Sequence, residues 1–296
     1  MYICIDIGGT EIKYGLATAD GVLTTHDTMA TMAQREGARG IMHRVDGIIE
    51  SYQTEQPIEG VAISTAGVVD TVKGEILYAL PEVLPGYTGV NWKDHIGRIF
   101  QLPCAVENDV NCAALGELWH GAGRGLSNLV CMTIGTSIGG AIIIDKKILH
   151  GVSHSAGEIA FMEIHGEKLY KVATTTRLIT DVAAAIGQPR ETLDGKKVFA
   201  LAAAGNDAVR SCLDTFTANL AASLINIMAL LNPPLIVLGG GIMAQEAILR
   251  PLIEQQIAAQ GNDTICKSTR IAFASLGNTA GMIGALYHFL QEQHIH

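Results

Sequence analysis

The chain has 296 residues, 48% of them hydrophobic and 17% charged, a balance that excludes a disordered polymer and a length that suits two domains. Its formal charge of −9, from 20 Lys+Arg against 29 Asp+Glu, repels nucleic-acid phosphates and anionic lipid, so the expected partner is a small molecule rather than a nucleic acid or a membrane. The six cysteines, at 4, 104, 112, 131, 212 and 266, form no C-x-x-C and no cluster with histidine, which fits a reduced cytoplasm. The apolar start is too short for a signal peptide, and no uninterrupted apolar run reaches about 18 residues.

In chain order, Y-I-C-I-D-I reads as a buried strand, followed by a Gly-Gly turn, a second strand in E-I-K-Y-G-L-A, an Asp-Gly turn and a third strand in V-L-T-T-H-D-T-M-A. Helical spacing runs through residues 37–53, 60–69 reads as one buried strand, 104–107 as a short strand, and 109–121 as a helix stopped by Gly121. A second β unit spans 128–152, its first turn again combining glycine with threonine, and we read 2–30 and 128–152 as a duplication. Helices are expected over 174–186, 196–205, 208–232, 247–261 and 281–293, with strands in 233–241 and 269–276. The predicted division is a smaller N-terminal α/β domain over 1–115 and a larger one over 116–279, with the last helix, about 280–296, packing back on the first.

Glycines mark three candidate ligand turns. Asp6, Ile7, Gly8, Gly9 and Thr10 stand where the first strand turns, with Lys13 just beyond. Glycine there exposes backbone N–H groups and lets a phosphate approach without a Cβ in the way, although an ordinary tight hairpin needs the same residues. Thr133, Gly135, Thr136, Ser137, Gly139 and Gly140 offer the same chemistry from the second β unit. Gly239, Gly240 and Gly241 follow the apolar strand L-I-V-L, where open α/β sheets bind ligands and a ribose or flat ring can lie against backbone; close helix–sheet packing is the alternative. A fourth site is Glu107-Asn108-Asp109. Asp109 is expected to cap the helix it opens and to have its pKa lowered by the dipole, and a carboxylate beside phosphate turns can accept the proton of an attacking hydroxyl.

The motifs D-I-G-G-T at 6–10, E-N-D-V-N at 107–111, T-I-G-T-S-I-G-G at 133–140, A-G-E at 156–158 and L-G-G-G at 238–241 together resemble the ROK family of sugar kinases and repressors. The resemblance implies an actin-like ATPase (ribonuclease H-like) fold of two α/β domains around a cleft, transfer of the ATP γ-phosphate to a sugar hydroxyl, and a homodimer. By that resemblance Asp109 is the general base, and Asn108 and Glu158 bind sugar hydroxyls. Gly67 lines the sugar pocket by its backbone, the first two turns hold the phosphates and Gly239–Gly241 flank adenosine. Asp6 is similar to the aspartate that reaches Mg²⁺ through water.

Two departures stand out. The family has a histidine three residues after the glutamate and then a zinc site of cysteines; here the position is Phe161, and no cysteine lies between Cys131 and Cys212, so no zinc site is expected. Where the family has an asparagine before L-P-G this chain has Val83, with Glu82 beside it as a candidate sugar contact. The expected activity is a cytoplasmic, ATP- and Mg²⁺-dependent kinase acting on the 6-hydroxyl of glucose or a β-glucoside, with Phe161 packing against the sugar. Alternatives are an N-acetylmannosamine or other hexose kinase and, in another class, a non-catalytic sugar or nucleotide sensor. A repressor would need a helix-turn-helix ahead of the first strand.

Overall fold

The apolar run Tyr2–Ile7 forms strand β1 at the centre of a five-stranded sheet in a computed structural model that describes residues 1–295. β1 pairs antiparallel with β2 (Glu11–Ala17) and parallel with β4 (Gly60–Thr65); β3 (Leu23–Ala30) and β7 (Cys104–Asn108) close the edges in the order β3-β2-β1-β4-β7. The central strands are buried on both faces, which is why they read as near-continuous apolar runs. Helices α1 (Ala33–Glu55) and α2 (Trp92–Phe100) place Ile41, Val45, Ile49, Trp92 and Ile96 in one core cluster with Ile3, Ile5 and Ile63.

The stretch 60–69 is not one strand. β4 stops at Thr65, Gly67 adopts φ 115°, and Val68–Asp70 (β5) pairs instead with Glu75–Tyr78 (β6). A positive φ is cheap only for glycine, so Gly67 sets this break. Helix α3 (Asp109–Trp119) belongs wholly to this unit, which runs to Leu126, past the 115 read from sequence, and also contains Lys146–Ala156 and the chain from Leu276 onward.

The second unit comprises Ser127–Asp145 and Gly157–Ser275. β8 (Leu129–Ile134) pairs antiparallel with β9 (Ile138–Ile144); the short β10 (Lys147–Ile148) lies in the Lys146–Ala156 segment. A small hairpin, β11 (Glu163–Ile164) and β12 (Glu167–Lys168), leads into α4 (Leu169–Val172), α5 (Thr175–Ile186), α6 (Gly195–Ala203) and α7 (Asp207–Leu231). β13 (Leu235–Gly239) pairs parallel with β8, and after α8 (Glu246–Gln260) and α9 (Asp263–Cys266), β14 (Arg270–Phe273) pairs parallel with β13. The order β9-β8-β13-β14 repeats that of β2-β1-β4-β7, an antiparallel hairpin extended by two parallel strands. Helix α7 is long and apolar enough to cross a bilayer by length and composition, but half of that stretch is buried, with Leu213, Phe216, Leu220 and Leu224 in the core.

The last helix, α10 (Ala280–Glu292), returns to the first unit and lies against α3. A Cβ built on Gly284 would stand 1.6 Å from the Cys112 carbonyl oxygen, and one on Gly116 would stand 2.5 Å from that of Ala280. Only glycine permits this crossing.

Candidate active site

In the first unit, pairing register assembles the site around Asp6. Lys13 on β2 and Ser64 on β4 are its direct neighbours; Lys13 Nζ donates to Oδ2 at 3.0 Å and Ser64 Oγ to Oδ1 at 2.6 Å. A Cβ on Gly281 would meet the Asp6 carboxyl at 2.9 Å, so the carboxylate lies at the first turn of α10, where the helix dipole favours negative charge. The following turn is tight: Gly8 N–H donates to the Glu11 carbonyl at 2.9 Å, and Thr31 Oγ1 donates to the Gly8 carbonyl at 2.8 Å. Gly9 has no room for a side chain because Val83 Cγ1 sits 2.4 Å from where its Cβ would be. Val83 therefore touches the turn, whereas Glu82 is exposed and contributes its backbone carbonyl, which accepts from Gln34 Nε2.

Capping at the start of α3 differs from the sequence reading. Asn108, not Asp109, is the N-cap: its Oδ1 accepts from the N–H groups of Val110 at 2.9 Å and Asn111 at 3.1 Å. Its Nδ2 donates to the Gly67 carbonyl and to Asp109 Oδ1, both at 3.0 Å. Gly67 thus meets the site through the carbonyl that holds Asn108. Asp109 opens the helix, its Oδ1 also accepting from Val110 N–H at 2.9 Å. Both bonds fall on Oδ1, which leaves Oδ2 for another partner. The dipole does not decide its acidity: burial first, and then the negative charge of Asp6, push the carboxyl up to about 7.

In the second unit, Thr133 stands opposite Gly139 on β9 and beside Gly239 on β13. The Gly135–Ser137 turn is closed by Gly135 N–H donating to the Ser137 carbonyl at 2.8 Å, and the Gly135 carbonyl accepts from Thr175 N–H at 2.9 Å. Gly240, at φ 98°, approaches the Ile134 carbonyl so closely that a Cβ would lie 2.2 Å from it, while Gly241 has open space. Gly135, Thr136 and Gly241 line one cavity of about 580 Å³, joined by Thr175, Thr176, Arg190 and Lys196. Arg190, Lys196 and the N-terminus of α5 attract anions, partly offset by the Asp194 carboxylate in the same lining, and Thr175 Oγ1 is buried without a partner. These four residues escaped the sequence reading, although the run Thr174-Thr175-Thr176 at a helix start was a visible signal. Gly140 does not line this cavity: a Cβ there would clash with the Gly157 carbonyl at 2.4 Å and with Ile159, so it permits the close passage of the segment that carries Glu158.

Glu158 is exposed and leads into a 3-10 turn, Ile159–Phe161. Phe161 is 62% exposed and meets Tyr170 edge-on with ring centroids 6.0 Å apart. The first unit therefore holds Asp6, the Gly8–Thr10 turn, Lys13, Gly67, Glu82, Asn108 and Asp109, and the second holds the other glycine turns, Glu158 and Phe161.

Residues 2–292 match the ROK family, and the chain belongs to that family. It is a carbohydrate kinase of the actin-like ATPase fold. The chain is 45% identical to an uncharacterized protein of Clostridium perfringens, over 98% of this chain and 97% of that one. It is 31% identical to a beta-glucoside kinase of Listeria monocytogenes (98% of each) and 30% identical to a glucokinase of Halalkalibacterium halodurans (99% and 96%). Among solved structures it superposes with a TM-score of 0.87 on a Listeria monocytogenes protein provisionally named an N-acetylmannosamine kinase, 28% identical over 99% of both chains. A Streptomyces griseus ROK glucokinase in complex with glucose and AMPPNP superposes with a TM-score of 0.80, at 25% identity over 97% of this chain and 98% of that one.

Proposed function

We propose that the protein transfers the γ-phosphate of ATP to the 6-hydroxyl of glucose or of a β-glucoside, with Asp109 as general base. The observation that carries this reading is Asp109 itself, a carboxyl with one engaged and one available oxygen, pushed up to about 7 beside Asp6. A base serves best when its pKa lies near the working pH. In the proposed reaction Oδ2 takes the hydroxyl proton as the sugar O–P bond forms and the bond from the γ-phosphorus to the ADP oxygen breaks. Asn108 fixes Asp109 through Nδ2 and orients the sugar. The cavity at Gly135, Thr136 and Gly241 takes the nucleotide, with Arg190 and Lys196 attracting its phosphates. An AMPPNP complex in the Streptomyces griseus relative supports ATP as donor.

Mg²⁺ prefers oxygen donors and keeps several of its waters. The Asp6 oxygens accept from Lys13 and Ser64 and each retains a lone pair for a metal-bound water, so these residues fit the ion. Asp6 would hold it, and it would neutralise phosphate charge. The chain lacks the cysteines and the histidine of a structural zinc site, and Phe161 offers no metal ligand. We propose a homodimer in the cytoplasm, in line with the resemblance and with six free cysteines.

The sugar is read from Phe161 and Tyr170. The exposed aromatic pair of Phe161, three residues past Glu158, and Tyr170 suits the apolar face of a second ring or an aglycone, and a 31% identical relative is a beta-glucoside kinase. Measuring ADP release with glucose, cellobiose, gentiobiose and N-acetylmannosamine tests the reading. The expected kcat/KM for a β-linked disaccharide at least equals that for glucose; glucose or N-acetylmannosamine ahead of both disaccharides by about a hundredfold rejects it, and no turnover with any sugar favours a sensor.

A further inference from the structure

Next to the proposed base stands a buried carboxylate bonded to an imidazole, a pair that the reaction as described does not use. Glu107, the last residue before Asn108 and Asp109, has a side chain only 1% exposed. Both its oxygens are engaged: Oε2 with His150 Nε2 at 2.6 Å, Oε1 with the Asn108 N–H at 2.7 Å and Asn111 Nδ2 at 3.0 Å. A carboxylate taken this far from water needs a counter-charge as well as donors, and His150 is the group that reaches it. Burial works to raise the Glu107 pKa, but His150, His288 and Asn111 together hold it below its ordinary value, and the same hydrogen bond raises that of His150.

From this carboxylate the path to Asp109 is short. Glu107 fixes the Asn108 backbone and the Asn111 side chain, the Asn108 amide caps α3, and its Nδ2 donates to Asp109 Oδ1. His150 comes from the Lys146–Ala156 segment, after which the chain enters the second unit at Gly157 and reaches Glu158. The same imidazole thus tethers the residues before Glu158 to the helix start that presents Asp109.

We propose that His150 is a positioning residue for phosphoryl transfer, acting through Glu107 to hold the Asn108–Asp109 pair in its reactive geometry. The inference rests on Asp109 being the base. The charged and titratable groups around the pair are His288 and Glu292 on α10, Lys93 on α2, which bonds Glu292, Cys112 and Asp109 on α3, and His154, whose ring lies 6.1 Å from that of His150. Asp6 faces Asp109. A neutral donor of similar reach should replace His150 in part, whereas truncation should release the carboxylate.

The test compares His150→Ala, His150→Asn, whose amide is too short to reach, and His150→Gln, whose amide reaches, each checked for folding by thermal melting. In the first two, kcat is expected to fall about tenfold or more with KM for ATP unchanged. The acid limb of the kcat–pH profile should move to higher pH, because Asp109 loses an ordered donor that favours its charged form. His150→Gln should recover most of kcat and restore the limb. A merely structural role would lower melting temperature without moving the limb. Truncated variants that keep kcat within twofold, or lose it with the acid limb in place, overturn the proposal. Asp109→Asn in parallel separates the two claims: if it stays active the base assignment fails, and if it is inactive while the His150 variants are normal, only the tether fails.

Discussion

Replacing Asp109 by asparagine removes the proton acceptor and a buried charge in one step, so activity and stability should move in opposite directions. The asparagine Oδ1 can still accept from Val110 and Asn108, which preserves the start of α3. In the wild type, burial and Asp6 raise the carboxyl from 3.8 to about 7. That difference corresponds to at most about 4 kcal/mol, and because part of the residue remains open to solvent we take about 2 kcal/mol. The folded protein holds this proton more tightly than the unfolded chain, so the contribution to stability is complete below the unfolded pKa, declines as pH rises and is gone above the folded value. Asparagine does not titrate. Its melting temperature should therefore exceed that of the wild type at pH 8 by several degrees, at about 2–4 °C per kcal/mol, and the gap should narrow toward pH 5. In the same preparation kcat should fall by about 10²–10⁴, the share a positioned base supplies. Scanning calorimetry at several pH values, with ADP release at saturating sugar, measures both. A variant no more stable than the wild type at pH 8, or one turning over within about tenfold of it, would refute the reasoning.

Two further outcomes follow from the packing and the donor sets. Gly284→Ala puts a Cβ 1.6 Å from the Cys112 carbonyl and should cost about 3 kcal/mol, the upper end for overpacking, by forcing α3 and α10 apart; a melting temperature within 2 °C of the wild type, on the order of 1 kcal/mol or less, speaks against that crossing. Chelation by EDTA should abolish turnover and Mg²⁺ should restore it, whereas about one zinc per chain by elemental mass spectrometry would contradict the reading of Phe161.

Much of the site was legible because glycine and carboxylate placement is local. The Gly8–Gly9 turn, the Gly135–Ser137 turn and Gly239–Gly241 lie next to apolar runs, and a strand entering a glycine turn is written in consecutive residues. The cap falls on Asn108 rather than the expected Asp109: two adjacent residues could both cap a helix, and only the side-chain direction decides between them. Gly140 also meets a packing demand from the Gly157 carbonyl, seventeen residues away, which the local sequence does not show. Helix α2 was missed although Asn91 and Asp94 carry a capping signal, the Asn91 side chain accepting from Asp94 N–H; its short length hid the apolar period. The pairing of Glu107 with His150 joins residues 43 apart, and no periodicity announces such a contact. The raised pKa of Asp109 depends on burial and on Asp6, which the sequence does not display.

The most direct test of the account is the pH dependence of kcat/KM for sugar-phosphate formation by the wild-type enzyme, followed by mass spectrometry of the product. A base that titrates near 7 predicts that log kcat/KM rises with unit slope below about pH 7 and then levels, because the unprotonated carboxyl of the free enzyme carries the reaction. A flat profile from pH 5 to 8, which a base titrating near an ordinary carboxylate value of about 4 would give, would contradict it, as would the absence of any phosphorylated sugar.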